Sequence, residues 1–302
     1  MDPNGHPGRV QAAPSSRPDY REHRVRRGPY QLYAREYPGQ EPAIVLMHGF
    51  PDDLHLYDRL VPELAGRHVV TFDFLGWGAS DKPTGYPYTA ANQTGDLDAV
   101  LDHLQLGPVV LVAHDASGPP AINWALDHPQ RIAGLVLLNT YYARMPGLRP
   151  PEAIRLFSTP VLRTVARPLS RLFGDLLFGR MYRWQVGRFF RDPQVREQFL
   201  PILYRQFTTS PSAHEAFFTL NRDLLPTVAA GTATVPRLRR LDRPVRIIFG
   251  AADPYLNAGV ARRFHGLFPT SELFLLDGAR HYVQLDEPQQ VARLILTTPP
   301  SG

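Results

Sequence analysis

Residues 109–118 read VVLVAHDASG, and this stretch decides the fold that the sequence predicts. A run of β-branched and aliphatic residues stops at the polar pair His114-Asp115, small residues follow, and a helix-like segment begins near Ala121. This pattern is typical of a nucleophile elbow, a tight turn that holds one side chain above a parallel sheet. Asp115 occupies the apex, where serine is the usual residue. Because a carboxylate that attacks carbon forms an ester, we expect the electrophile to be an alkyl carbon with a leaving group.

Short apolar strands alternate with helical segments on both sides of this stretch. The pattern predicts an edge hairpin at 23–26 and 30–37, further strands at 43–47, 68–73, 132–138, 245–249 and 272–276, and helices at 90–104, 121–128, 258–268 and 288–296. Helices of this length between strands indicate βαβ crossovers. The sequence therefore predicts an α/β protein with a mostly parallel sheet flanked by helices.

The alternation stops between residues 141 and 238, which are punctuated by proline, helical in pattern and strongly apolar. We expect this stretch to be a helical cap (lid) inserted into a core domain formed by residues 21–140 and 239–302. Residues 1–20, rich in Pro, Gly, Ser and Arg, are predicted to be a disordered leader and not a secretory signal. An apolar cap favours a small lipophilic organic substrate.

The composition of the 302 residues excludes several classes of function. There are no cysteines, which excludes disulfides, thiolate metal sites and a cysteine nucleophile. No apolar run reaches the ~18–20 residues of a transmembrane helix, so we expect a cytoplasmic protein without a membrane span. The net charge is +5, but the arginines of residues 141–238 have the spacing of solvated helix faces, so no nucleic-acid partner is expected. The scattered histidines lack ligand spacing, so neither a metal nor another cofactor is expected.

Three charged or titratable side chains fall at predicted strand ends. Asp115 comes first, Asp253 follows in the stretch FGAADP, and His281 comes last in LDGARHY. The carboxyl ends of parallel strands form the crevice of an α/β sheet, so we expect the three groups to meet there. Neutral His281 can take a proton from water near pH 7, and Asp253 would stabilise the resulting imidazolium. Ser117 is a rival nucleophile, but it lies two residues past the apex, and we expect it to allow close helix–strand packing.

The chain resembles the α/β-hydrolase superfamily, and within it the branch that contains epoxide hydrolases and haloalkane dehalogenases. The resemblance is carried by HGFP at residues 48–51, the segment 73–80, HD at 114–115 and GAADP at 250–254. It extends over residues 21–296 and is weakest in the predicted cap. It implies the α/β-hydrolase fold and an aspartate nucleophile.

The resemblance also implies a two-step reaction. Asp115 would open the substrate by displacement and form an alkyl ester, and His281, oriented by Asp253, would activate the water that hydrolyses this ester. The backbone N–H groups of Phe50 and Ala116 would form the oxyanion hole.

The resemblance leaves two leaving groups open, the halide of haloalkane dehalogenases and the ring oxygen of epoxide hydrolases. Haloalkane dehalogenases hold the halide with a Trp directly after the nucleophile and with an Asn or a second Trp. Here Ala116 follows the nucleophile, and Phe50 stands where some dehalogenases carry Asn. Epoxide hydrolases share HGFP followed by an acidic residue, which is Asp52 in this chain.

Epoxide hydrolases also use two cap tyrosines to protonate the opening oxygen. Asn221 stands where the second of these tyrosines would fall. Tyr182 and Tyr204 are our first candidates for the proton donors because both lie deep in the cap sequence, and Tyr141 and Tyr142 remain as further candidates.

The resemblance therefore implies an epoxide hydrolase that converts a lipophilic epoxide to a vicinal diol with water. The alternatives are a haloalkane dehalogenase-like carbon–halogen hydrolase, another reaction on the same scaffold, and a non-catalytic protein of this fold.

Overall fold

The computed structural model describes residues 18–298, apart from 163, 166, 167 and 169–174. The described strands are β1 (Arg21–Arg27), β2 (Tyr30–Tyr37), β3 (Gln40–Met47), β4 (Arg67–Asp73), β5 (Val109–Asp115), β6 (Ile132–Thr140), β7 (Val245–Gly250) and β8 (Ser271–Leu276). They form one eight-stranded sheet in the order β1-β2-β4-β3-β5-β6-β7-β8. β1 and β2 are an antiparallel hairpin, β2 pairs antiparallel with β4, and the remaining neighbours are parallel. The predicted α/β fold with a mostly parallel sheet is confirmed.

Nine α-helices have bounds in the described part of the chain. They are α1 (Ala90–His103), α2 (Gly118–Asp127), α3 (Glu152–Ser158), α4 (Arg180–Gly187), α5 (Pro193–Thr209), α6 (Pro211–Leu238), α7 (Ala258–His265), α8 (Val283–Asp286) and α9 (Pro288–Leu296). Of these, α1, α2, α7, α8 and α9 contact the strands of the sheet. The central strands are buried along almost their whole length, as is typical of a parallel sheet with helices on its faces. In the described part of the chain, no helix combines the length and the apolar character that crossing a bilayer requires.

Helices α3 to α6 occupy the interval between β6 and β7, where the sequence predicts the cap. The longest is α6, whose 28 residues run through Pro226 and Pro236. An interior proline costs a helix a hydrogen bond, so the buried face of α6, which includes Phe217, Phe218 and Leu224, must outweigh this loss. The boundaries of the cap at 141 and 238 stay a prediction. The predicted leader lies outside the described residues, except for 18–20.

Candidate active site

Asp115 ends β5 at the carboxyl edge of the sheet, and α2 starts three residues later. Its φ of 48° lies in the left-handed region, which Asp tolerates better than most residues other than glycine and Asn. Two residues that lie close to this turn in space, Gly49 and Gly118, have no room for a side chain. A Cβ on Gly49 would stand 2.6 Å from the Cβ of Asp115, and one on Gly118 would stand 1.9 Å from Oγ1 of Thr140. The tight turn that the sequence predicts is therefore present, with a carboxylate at its apex.

Ser117, the rival nucleophile, is fully buried inside this turn. Its Oγ lies 2.8 Å from the carbonyl oxygens of Met47 and His114 and accepts the N–H of His114 at 2.9 Å. These contacts tie the start of α2 to β3 and β5. The hydroxyl is thus engaged with the backbone, and Ser117 is not among the residues that line the pocket described below.

His281 and Asp253 form a buried pair after β8 and β7. Nδ1 of His281 lies 2.8 Å from Oδ2 of Asp253, and the two residues are 4% and 2% exposed. Because a carboxylate can only accept, this contact places the proton on Nδ1 and leaves Nε2 for other partners. The other carboxylate oxygen of Asp253 accepts the N–H groups of Tyr255 at 2.8 Å and Leu256 at 3.1 Å. Asp253 is therefore fixed from both sides, and it fixes the ring of His281.

The predicted oxyanion-hole groups both lie at the carboxylate of Asp115. The N–H of Phe50 donates to Oδ2 at 3.0 Å, and the N–H of Ala116 also hydrogen-bonds the carboxylate. The two donors therefore hold the carboxylate of Asp115 in place. Such backbone donors stabilise negative charge on the oxygen without any rearrangement.

The ionisation of these groups follows from their surroundings. Burial raises the pKa of Asp115 above its ordinary value, although His281 and the two backbone N–H groups act against this. Burial would also raise the pKa of Asp253, but His281 beside it holds that pKa below its usual range. Burial alone would lower the pKa of His281, but the negative charges of Asp253, Asp115 and Asp52 raise it to about 9. The imidazolium of His281 is thus stabilised by the carboxylates around it.

Removing the charge of Asp115 should lower the pKa of His281. In Asp115→Asn one of the carboxylates that stabilise the imidazolium becomes neutral, so we expect the histidine to titrate below the value of about 9 that it has in the unmodified protein. Titration of the His281 ring followed by NMR measures this shift. Asp102→Asn, at an exposed position of α1, is the control and should leave the titration unchanged. An unchanged His281 pKa in Asp115→Asn would show that the two groups do not interact.

One pocket holds both Asp115 and His281. The empty space in this pocket, together with the open solvent at its mouth, is about 840 Å³. Most of its lining is apolar and comes from the loop before α3 and from α3, α4 and α6, with the following residues: Phe50, Pro51, Asp115, Tyr141, Leu148, Arg149, Pro150, Pro151, Ala153, Ile154, Met181, Tyr182, Gln185, Val186, Phe189, Phe217, Leu224, Leu225, Val228, Tyr255, Leu256 and His281. A pocket with this apolar lining suits a lipophilic organic molecule.

The polar groups of the lining differ in whether they are already hydrogen-bonded. Gln185 donates to the hydroxyl of Tyr255 at 2.9 Å, and this hydroxyl donates to Glu152 at 2.7 Å. Tyr182 is 1% exposed, and its hydroxyl has no hydrogen-bond partner among the described residues. A buried hydroxyl without a partner is costly, which marks Tyr182 as a group that a ligand could satisfy.

The other predicted tyrosines are placed differently. Tyr204 is not among the residues that line the pocket, and its ring packs against that of Tyr182 with centroids 5.0 Å apart. Tyr141 lines the pocket, whereas the hydroxyl of Tyr142 is hydrogen-bonded to Asn123 and Thr234, both at 2.7 Å. Of the two first candidates for proton donors, only Tyr182 faces the pocket.

Three residues that support the site had no role assigned from the sequence, although two of them, His114 and Asp52, belong to the motifs quoted above. Asn139, at the end of β6, donates to Oδ2 of Asp253 at 2.8 Å and accepts the N–H of Gly250 at 2.8 Å. A ring nitrogen of His114 lies 3.0 Å from the carbonyl oxygen of His281. The polar end of the apolar strand β6 was the available signal for Asn139, since polar residues at strand ends reach this edge of the sheet.

The third of these residues is Asp52, the buried carboxylate of the HGFP-Asp motif, to which no role in the site was assigned from the sequence. Its Oδ1 accepts the hydroxyl of Tyr282 at 2.7 Å, and its Oδ2 has no hydrogen-bond partner among the described residues. Burial, together with the nearby charge of Asp115, raises the pKa of Asp52 to about 7. Asp52 therefore adds a third carboxylate to the electrostatic surroundings of His281.

Comparisons with known proteins agree with this architecture. The chain is 29% identical over 282 residues to a cis-3-alkyl-4-alkyloxetan-2-one decarboxylase of Xanthomonas campestris, covering 87% of this chain and 90% of that protein. It is 26% identical over 272 residues to a haloalkane dehalogenase of Mycobacterium marinum, covering 88% of this chain and 87% of that protein. The solved structure of the haloalkane dehalogenase DatA from Agrobacterium tumefaciens superposes with a TM-score of 0.75 at 23% identity, covering 91% of this chain and 94% of that one, and supports the fold alone.

The match to a family model spans most of the chain. The model describes the alpha/beta hydrolase fold and matches residues 42–288, from within β3 to the first residue of α9. This range contains the elbow, the buried His281–Asp253 pair and the helices between β6 and β7. The chain therefore belongs to the α/β-hydrolase family.

Proposed function

We propose that the chain is a hydrolase that forms an ester on Asp115, and that its substrate is a lipophilic epoxide. The observation that carries the proposal is the carboxylate of Asp115 at the apex of the elbow, in the same apolar pocket as His281. A carboxylate at this position can attack an alkyl carbon and form an ester that water can hydrolyse.

In the first step, the carboxylate of Asp115 attacks a ring carbon of the epoxide and the C–O bond of the ring breaks. The hydroxyl of Tyr182 gives its proton to the ring oxygen, which becomes the first hydroxyl of the product. Burial raises the pKa of Tyr182 well above its ordinary value, so the proton is present at neutral pH until the oxygen takes it.

In the second step, water attacks the carboxyl carbon of the ester. Esterification has removed the charge of Asp115, which lowers the pKa of His281. The imidazolium therefore releases its proton to the solvent, the neutral ring takes a proton from the attacking water, and the solvent returns the released proton once Asp115 is again a carboxylate. The N–H groups of Phe50 and Ala116 stabilise the oxyanion that forms on the ester carbon. When this intermediate collapses, His281 protonates the departing alcohol, Asp115 is again a carboxylate, and the proton left over from water restores Tyr182.

The side-chain donors near Asp115 support an oxygen leaving group in our proposal. A halide needs N–H donors near the attacked carbon, but the side chains of Ala116 and Phe50 have none. The free hydroxyl of Tyr182 suits an oxygen leaving group. An oxetan-2-one is the second candidate substrate, because it is also a strained oxygen ring and because one relative is a cis-3-alkyl-4-alkyloxetan-2-one decarboxylase.

A panel of substrates tests the proposed reaction. We expect diol formation from medium-chain alkyl epoxides and no halide release from 1-haloalkanes of the same length. Halide release without diol formation would replace our proposal with the carbon–halogen alternative. Release of CO₂ from a cis-3,4-dialkyloxetan-2-one, with the epoxides left intact, would favour the second candidate.

The variant Tyr182→Phe should lower kcat/KM for epoxides by about 10²-fold, because general acid catalysis contributes about 10²–10⁴. The matched control is Tyr204→Phe, on the neighbouring ring that does not line the pocket, and it should stay within about threefold of the unmodified enzyme. Steady-state kinetics with one epoxide from the panel measures both. Equal losses in the two variants would contradict the role of Tyr182.

A further inference from the structure

A second space, the side cavity, adjoins the pocket of Asp115 and His281, which we call the main pocket. The empty space in the side cavity, together with the open solvent at its mouth, is about 220 Å³. Tyr141 and Leu224 line both the side cavity and the main pocket. The two spaces are therefore neighbours, and these two residues stand between them.

Helix α6 contributes to both spaces. Four of its residues line the side cavity and have the three- and four-residue spacing of one helix face: Leu220, Asp223, Leu224 and Thr227. Phe217, Leu225 and Val228 line the main pocket from the adjacent face of the helix, and Leu224 belongs to both sets. Helix α6 is therefore part of the partition between the two spaces.

The side cavity leads from the surface to the elbow. Its lining includes Ala90, Asp223 and Thr227, which are half-buried, and Ala116, which is 6% exposed. The N–H of Ala116 hydrogen-bonds the carboxylate of Asp115. The inner end of the side cavity therefore lies beside the group that would carry the ester.

The linings of the two spaces differ in polarity. Gln93, Asp223 and Thr227 bring an amide, a carboxylate and a hydroxyl to the side cavity, whereas most of the lining of the main pocket is apolar. A water molecule inside a protein needs about two to four polar partners and takes about 30 Å³ in the liquid. The side cavity therefore suits water, and the main pocket suits the lipophilic part of a substrate.

An ester on Asp115 would obstruct the way in through the main pocket. Its alkyl part stays in that pocket, between Asp115 and the mouth that the exposed residues Arg149 and Leu225 mark. Water that entered through this mouth would have to pass the alkyl chain and the apolar lining around it, where it finds few hydrogen-bond partners. One water must nevertheless reach the ester carbon in every turnover.

We propose that the side cavity binds water and supplies it to the ester on Asp115 while the alkyl part of the substrate fills the main pocket. The water passes between Tyr141 and Leu224, whose side chains move aside to admit it. This inference rests on the ester proposed above and adds the path by which the second reactant arrives. It involves no bonds other than those of the hydrolysis already described.

Filling the side cavity tests the proposal in a single turnover on the full chain. Thr227→Trp and Ala90→Trp each place a large side chain at its outer end, where both residues are half-buried. With 1,2-epoxydecane and rapid quenching, intact mass follows the adduct on Asp115. We expect the adduct to form within about threefold of the unmodified rate and to decay at least about tenfold more slowly.

Each variant has a matched control on the same helix. Thr219→Trp on α6 and Ala91→Trp on α1 introduce the same side chain at residues that line neither space. Both controls should form and hydrolyse the adduct within about threefold of the unmodified rates. A melting temperature within about 3 °C of that of the unmodified chain verifies the fold of each variant. If one of the two cavity-filling variants does not fold, the other and its control provide the test.

The length of the substrate separates a blocked water path from a distorted active site. Propylene oxide leaves most of the main pocket free, so water can reach its ester through the mouth. Thr227→Trp and Ala90→Trp should therefore hydrolyse this short ester within about threefold of the unmodified rate. A distorted active site would slow the hydrolysis of both esters alike.

Three results would overturn the proposal. The first is an unmodified rate of adduct decay with 1,2-epoxydecane in the folded cavity-filling variants while His281→Gln accumulates the adduct, which would leave the ester in place and exclude this path for its water. The second is equal slowing with the long and the short epoxide. The third is the absence of an adduct even in His281→Gln, which would remove the proposed ester as well.

Discussion

The variant Asp115→Asn should turn over every substrate of the enzyme at least ~10⁴-fold more slowly and keep its fold. The amide is a poor nucleophile and cannot form the ester, so the remaining groups of the pocket have no reaction to assist. Asn tolerates the φ of 48° at this position, and its side-chain oxygen can still accept the N–H of Phe50. The loss should therefore reflect chemistry and not a damaged turn.

Steady-state kinetics measures the loss of turnover, and circular dichroism shows whether the variant keeps its fold. The intact mass verifies that the introduced amide has not been hydrolysed to the acid. Asp102→Asn, at an exposed position of α1, is the matched control and should retain full activity. Activity above about 1% of the unmodified enzyme in the verified amide variant would contradict the role of Asp115.

The variant His281→Gln should accumulate a covalent adduct on Asp115 while steady-state turnover falls at least ~10³-fold. The first step needs only the carboxylate and a proton donor, whereas the second needs a base that takes a proton from water. Gln cannot act as that base. With an epoxide, the intact protein should gain the full mass of the substrate, because ring opening by the carboxylate loses no atoms.

Peptide mapping should place this adduct on the peptide that contains Asp115. The double variant Asp115→Asn/His281→Gln is the control and should gain no mass. If His281→Gln shows no adduct with a substrate that the unmodified enzyme turns over, the ester does not form as an intermediate or does not depend on His281 for its hydrolysis.

Local patterns were sufficient to predict the sheet and the positions of Asp115, Asp253 and His281 at its edge. The elbow at 109–118 has a strand, an apex and a helix within ten residues, and the positions of Asp253 and His281 follow from strand ends. The structure brings His281 and Asp253 to 2.8 Å and places His281 in the pocket of Asp115. Such positions are predictable because the end of a strand determines which edge of the sheet a residue occupies.

The contacts between distant elements were not predictable in this way. Tyr182 and Tyr204 looked equivalent in the sequence, but the packing of α4 turns only Tyr182 towards the pocket. The link from Asn139 to Asp253 joins residues 114 positions apart, and neither local pattern nor composition contains that information. Helix α6 likewise continues through two prolines because of its packing, which outweighs its local propensity.

The charges around His281 suggest why the two steps of the proposed reaction occur in order. While Asp115 is a carboxylate, it helps to raise the pKa of His281 to about 9, so the histidine is protonated at neutral pH. A protonated ring takes no proton from water, and it accompanies the attacking carboxylate as a counter-ion. Once the ester has formed, the charge of Asp115 is gone, the pKa of His281 falls, and the ring becomes the base that the second step needs.

The most direct test of the ester on Asp115 is a single turnover in water labelled with oxygen-18, with enzyme in excess over substrate. Water should attack the carboxyl carbon of the ester, so the product of the first turnover takes its oxygen from Asp115. We predict an unlabelled diol and one labelled oxygen in the peptide that contains Asp115, both read by mass spectrometry. A labelled diol together with an unlabelled Asp115 peptide would show that water attacks the substrate directly, and it would contradict the account.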